Sequence, residues 1–185
     1  MTILVVDLEA TCWATKEEQG SQPNEIIEIG IVELDDDLNF VKSKGYVVKP
    51  RFTKISEFCT QLTGWTQEKV DAGLDIAQTL ELVEQEFFCN DPQSWCSWGA
   101  YDRNKLFADP SVFVRGSLSE IYGIKYSPFT DLYHCNLKEE FAQMHNVALM
   151  GMARALKHLK LKLDGRHHNG EDDAKNIAKI VQKMY

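Results

Sequence analysis

The chain has 185 residues, of which 44% are hydrophobic and 26% charged. That balance is expected of one soluble globular domain and excludes disordered, collagen-like and low-complexity classes. A formal net charge of −8 excludes broad, tight binding to duplex nucleic acid, which needs a basic footprint. No apolar run approaches the roughly 18 residues of a membrane span. The first carboxylate, Asp7, comes too early for the apolar core of a secretory leader.

In chain order, Thr2–Leu8 is a β-branched run that reads as a buried central strand. Residues 14–25 are polar, contain Gly20 and Pro23, and read as a loop. Ile26–Leu34 is a second strand, and Asp35-Asp36-Asp37 is the turn into a third, Asn39–Val48, giving an antiparallel opening. Helical spacing follows over Asp75–Phe88, where Ile76, Leu80, Val83 and Phe87 share a face. Ser94–Trp98 is a short aromatic strand stopped by Gly99, and Tyr101–Phe107 opens a helix. Pro128 precedes a last strand at Phe129–Leu132, and Leu137–His145, Met150–Leu159 and Asp172–Met184 read as helices. No repeat or linker interrupts the pattern, so a single domain over residues 1–185 is expected. Strands first, then strands alternating with helices, predict an α/β layer fold with a mixed sheet.

Five cysteines, odd in number and without a C-x-x-C pair, predict reduced thiols, no cysteine-rich zinc site and a cytoplasmic location.

Three places carry chemistry. In Asp7-Leu8-Glu9 strand alternation points both carboxylates to one face. They repel unless a cation sits between them, and oxygen donors suit Mg²⁺ or Mn²⁺; a solvated strand end is the plain alternative. Asp102 lies just beyond a predicted strand, where catalytic groups of open α/β sheets gather. Taken singly, Asp102 is the better fit to a helix cap. The loop Gly165–Gly170 leads into a helix whose stripe is Ile177, Ile180 and Val181. Acids in that first turn suit the helix dipole, while a loop histidine there is placed to deprotonate a water.

Taken in order, Val6-Asp7-Leu8-Glu9-Ala10-Thr11, Tyr101-Asp102 and His168-Asn169-Gly170-Glu171-Asp172-Asp173 resemble the three motifs of the DEDDh 3′–5′ exonucleases, a branch of the RNase H-like superfamily. Phe58–Gln67 (FCTQLTGWTQ) resembles the F-C-x-x-L-T-G-I-T-Q stretch of Eri-type members, and Asp164–Ala178 resembles their G-R-x-H-x-G-x-D-D block. Trp65 stands where isoleucine is usual.

The resemblance implies an RNase H-like, mixed five-stranded sheet flanked by helices, its first three strands a meander with one strand antiparallel. It implies two divalent cations, Mg²⁺ or Mn²⁺, held by Asp7, Glu9, Asp102 and Asp173, with His168 as general base and His167 as its competitor. It further implies release of nucleoside 5′-monophosphates from the 3′ ends of single-stranded nucleic acid, RNA favoured. Glu9, Ala10, Thr11, Leu62, Thr63, Trp65, Tyr101 and His168 are the expected substrate contacts, with ordinary core as the alternative for Leu62 and Trp65. Asp172, about 100° round the helix from Asp173, is expected at the surface. Arg154–Tyr185 holds eight basic and four acidic residues, a modest track for a single strand or simply a solvated helix face. The competing reading is a regulatory protein of KapD type; such a protein is expected to have lost at least one of Asp7, Glu9, Asp102, His168 or Asp173, and all five are present.

Overall fold

The N-terminal β-branched run becomes β1 (Ile3–Ala10), the central strand of a five-stranded sheet in the computed structural model, which describes residues 2–185. A one-turn helix α1 (Lys16–Gln19) leads to β2 (Ile26–Leu34) and β3 (Phe40–Val47). Short helices α2 (Glu57–Thr63) and α3 (Gln67–Asp71) precede the longer α4 (Ile76–Phe87). Then come β4 (Ser94–Ser97), α5 (Tyr101–Leu106), α6 (Leu118–Tyr122), β5 (Tyr133–Asn136), α7 (Leu137–His145), α8 (Met152–His158) and α9 (Gly170–Met184).

The sheet order is β3-β2-β1-β4-β5. β1 and β3 both pair antiparallel with β2, while β4 runs parallel to both β1 and β5. So β2 alone opposes the other strands, as the meander reading requires.

Alternation along β1 divides the core. Leu4, Val6 and Leu8 face a layer built on α4, in which Val83 and Phe87 are buried; full burial of such a side chain contributes about 1.5–3 kcal/mol. Val5, Val32 and Cys96 face α7, α8 and α9. By the same alternation Asp7 and Glu9 share the face of Val5, toward α9. Two glycines let α9 approach: a Cβ on Gly30, the register partner of Asp7, would lie 2.0 Å from the Gly170 carbonyl. A Cβ on Gly170 would in turn come within 3.2 Å of the Asp7 carbonyl, so the first turn of α9 sits beside β1.

The predicted strand at Phe129–Leu132 is a turn, in which Thr130 N donates to the Ser127 carbonyl. Phe129 is buried because it packs on Trp95, 5.1 Å between ring centroids. The strand lies one step later, at Tyr133–Asn136. It is an edge strand made by its ladder to β4, not by an apolar run. Within the predicted 14–25 loop the sequence shows no sign of α1, a single capped turn. Among the described residues no helix is long and apolar enough to cross a membrane.

Candidate active site

Asp7 and Glu9 project from the end of β1 into a cavity of about 490 Å³ that Asp102, His167, His168 and Asp173 also line. Asp102 does not cap its own helix. Its Oδ1 accepts the Leu8 N–H at 3.0 Å, which ties α5 to the strand between the two motif-one acids. Asp173, in the first turn of α9, accepts from the His168 N–H (2.9 Å) and contacts His167 Nδ1 (2.8 Å), both through Oδ2. Its other oxygen, Oδ1, is buried without a partner among the described residues. Oxygens of Asp7, Glu9 and Asp173 all lie within 4.8 Å of one another.

Such crowding shows in the electrostatics. Loss of solvent, then Asp102, Asp173, Glu9 and Glu28, pushes the Asp7 carboxyl well above the usual carboxylate range. Burial and then Asp173 push Glu9 up to about 8, and burial raises Asp102 to about 6 against the pull of the Leu8 N–H. Acids this close cannot all ionise without a counter-charge. The all-oxygen donor set and the orphaned Asp173 oxygen fit divalent cations.

His168 adopts φ +66°, a conformation a non-glycine residue holds only under constraint. Its ring stacks on His167 (4.0 Å, 13°), with Nδ1 4.0 Å from Glu9 Oε1. Burial and the neighbouring His167 lower its pKa, with Asp173 opposing, so the neutral, proton-accepting imidazole prevails near pH 7. His167 reaches the same cavity, but its Nδ1 is engaged with Asp173.

Of the expected substrate contacts, Glu9, Tyr101 and His168 line this cavity; Ala10, Thr11, Leu62, Thr63 and Trp65 do not. The Thr11 hydroxyl accepts from Glu25 N at 2.9 Å, and that of Thr63 donates to the Cys59 carbonyl at 2.8 Å. Both are turned into the protein. Arg166 reaches toward the Gln61 and Leu62 carbonyls. Trp65 and Thr63 line a separate cavity of about 190 Å³, and Trp65 Nε1 donates to Glu28 at 2.8 Å. Glu28 is the residue that sequence reasoning missed. Buried in β2, it also accepts from Gly170 N (2.8 Å) and Glu171 N (3.3 Å), and so holds the start of α9. An acid within a strand that is apolar apart from Glu28 and Glu33 was the available signal. Asp172 is no free surface acid, because its Oδ2 accepts the Arg166 N–H at 2.8 Å. The supposed basic track is partly spent as well: Lys175 pairs with Glu171 and Lys179 with Asp164.

An RNase H-like sheet with an acid cluster at the end of its central strand defines a class of nuclease. The exonuclease family model RNase_T matches residues 4–91. Human 3′-5′ exoribonuclease 1 is 31% identical over 98% of this chain and 52% of its own length. ERI1 exoribonuclease 2 of Danio rerio is 28% identical over 98% of this chain and 34% of its own. The chain thus spans about half, or less, of the length of these two relatives. The crystal structure of the nuclease domain of 3′hExo, a DEDDh family member bound to rAMP, superposes with a TM-score of 0.85 at 28% identity, covering 99% of this chain and 90% of that one. Along nearly its whole length the chain is thus similar to 3′–5′ exonucleases, among them a solved DEDDh family member.

Proposed function

We propose that the chain is a metal-dependent 3′–5′ exonuclease that removes nucleoside 5′-monophosphates from single-stranded 3′ ends, RNA before DNA. One observation carries the reading: acids from three distant chain segments meet two histidines in one cleft, and one of their buried oxygens has no partner among the described residues. Asp7, Glu9, Asp102 and Asp173 would hold two divalent cations, Mg²⁺ or Mn²⁺, which when bound supply Lewis-acid activation of the attacking water and neutralise charge on the leaving oxygen. His168 accepts the water proton on its neutral imidazole as the water oxygen attacks phosphorus, a role typically worth 10²–10⁴-fold in rate. The bond to the 3′ oxygen breaks, and that oxygen regains a proton from solvent. His167 orients Asp173. Tyr101, half-exposed with its hydroxyl fixed on Asn24 Oδ1 at 2.7 Å, offers a held ring for the terminal base, where stacking contributes about 1–3 kcal/mol.

The preference for RNA leans on the exoribonuclease relatives and the rAMP-bound neighbour. A cytoplasmic location rests on five free thiols. The complete acid set weighs against the regulatory reading.

The test uses 5′-labelled single-stranded RNA and DNA incubated with Mg²⁺, Mn²⁺ or EDTA. A one-nucleotide ladder receding from the 3′ end, absent in EDTA and with Asp7→Asn, is expected. Intact oligonucleotides with folded, cation-supplied protein would overturn the proposal.

A further inference from the structure

Beyond the Tyr101 ring a second cavity of about 820 Å³ opens between the 16–24 loop, α5 and residues 115–121. Tyr101 lines both cavities. In a chain of net charge −8, this cavity carries three cations, Lys16, Lys105 and Arg115, against one acid, Glu120.

Lys105 is the unusual member. It is 6% exposed, its ammonium donates to the Asn24 carbonyl, and among the described residues no ion pair includes it. Glu120 and Glu25 favour its charged form without pairing with it; a buried ammonium so incompletely countered is costly, and one hydrogen bond occupies only one of its three donors. Burial draws its pKa down to about 8, which leaves it mostly charged at pH 7. A Cβ on Gly116 would come within 3.1 Å of Lys105 Nζ, so glycine there keeps the ammonium accessible from the cavity. The carboxylate of Glu120 is engaged by the Gly116 N–H. Arg115 and Lys16 are exposed at the rim.

We propose that this cavity is a phosphate subsite for the upstream backbone of a single-stranded substrate, with Lys105 as its buried anchor and Arg115 and Lys16 on its rim. The proposal rests on the exonuclease reading. It gives the strand a way out of the catalytic cleft past Tyr101, whose ring centroid lies 5.8 Å from Lys105 Nζ. Lys175 and Lys179 of α9 are less suited, being paired with Glu171 and Asp164.

The test compares wild-type protein with Lys105→Met, Lys105→Arg and Arg115→Ala. Anisotropy of labelled RNA oligonucleotides two to ten nucleotides long is read in EDTA across a salt series, beside hydrolysis of the same strands with Mg²⁺. Methionine fills the buried volume without charge, and melting curves check folding; Arg115 is exposed, so Arg115→Ala provides a second probe that does not disturb the core. Lys105→Met is expected to weaken binding of the ten-mer about three- to tenfold. It should also reduce the slope of log K against log salt by about 0.7. The deficit should grow with strand length and be smallest on the dinucleotide, with partial rescue by Lys105→Arg. Equal affinity and equal salt slope in all four proteins would overturn the subsite. So would displacement of the ten-mer by millimolar inorganic phosphate that depends on Lys105 but not on strand length, which would assign the cavity to a free anion. Loss of hydrolysis on every strand, with Lys105-dependent binding retained, would count against the exonuclease reading and leave the subsite standing.

Discussion

Two groups of carboxylates lie on or beside the same sheet, and they are treated in opposite ways. Glu25 is fully buried, but it accepts the N–H groups of Arg51, Phe52 and Thr53 (2.7, 2.9 and 2.6 Å) and the Thr53 hydroxyl (2.6 Å). Glu28 accepts from Trp65 and the first turn of α9, and Glu33 meets Lys42 and Asn90. Asp7, Glu9 and Asp173 instead face one another, and an oxygen of Asp173 has no donor among the described residues. Burial alone therefore does not mark a site. An acid whose donors come from the protein holds the fold together, and an acid left without them is waiting for something the protein does not supply.

This contrast can be broken in several ways. Asp7→Asn should lower exonuclease activity by roughly 10³-fold, since several kcal/mol of charge stabilisation is lost, without lowering the melting temperature in EDTA. A variant that melts lower yet still digests RNA would place Asp7 with the structural acids. His168→Ala should cost about 10²-fold or more in kcat and His167→Ala clearly less; kinetics in the reverse order would move the base by one residue.

Glu25→Ala should act the other way round. It strands three backbone N–H groups and a hydroxyl, at about 1–3 kcal/mol for a buried donor left unsatisfied. Urea unfolding should show a loss of roughly 3 kcal/mol or more, and unchanged stability would dissolve the distinction between the groups.

pH separates the groups more finely. Glu9 is held up to about 8 by burial and by its acidic neighbours, so without cations the folded site keeps a proton that the unfolded chain has released. Its contribution to stability is full below the ordinary glutamate pKa and is lost as pH rises toward 8. In EDTA the melting temperature should fall between pH 5 and pH 8 more steeply for wild type than for Glu9→Gln, and added Mn²⁺ should raise it more at pH 8 than at pH 5. Parallel curves for the two proteins would remove the repulsion from the account.

The smallest expected effect is that of Trp65→Phe. Removing the indole donor to Glu28 should cost about 1 kcal/mol of stability with little change in KM. A raised KM at unchanged stability would instead return Trp65 to the substrate.

Residues that must be near one another along the chain were legible before any fold was known. Asp7 and Glu9 share a face because a strand alternates, and His168 and Asp173 are close because one short loop and one helical turn separate them. The meander was legible too, since β2 carries its own apolar pattern and a tight acidic turn leads from it to β3. β5 was not, because an edge strand of Tyr133, His134, Cys135 and Asn136 owes its place to backbone pairing with β4.

Tertiary structure alone decided which polar groups are satisfied. That Asp102 binds the Leu8 N–H, that Trp65 reaches Glu28 and that Thr11 turns inward are contacts across 94, 37 and 14 residues, which no local periodicity encodes. The cationic cavity around Lys105 is of the same kind: Lys16, Lys105 and Arg115 come together only when α1, α5 and the loop before α6 pack against one another. The sequence by itself determined the type of chemistry, because the acids and the histidine appear in a spacing that local geometry must honour. Which side chains remain free to use that chemistry depended on long-range hydrogen bonds, and those exist only in the folded chain.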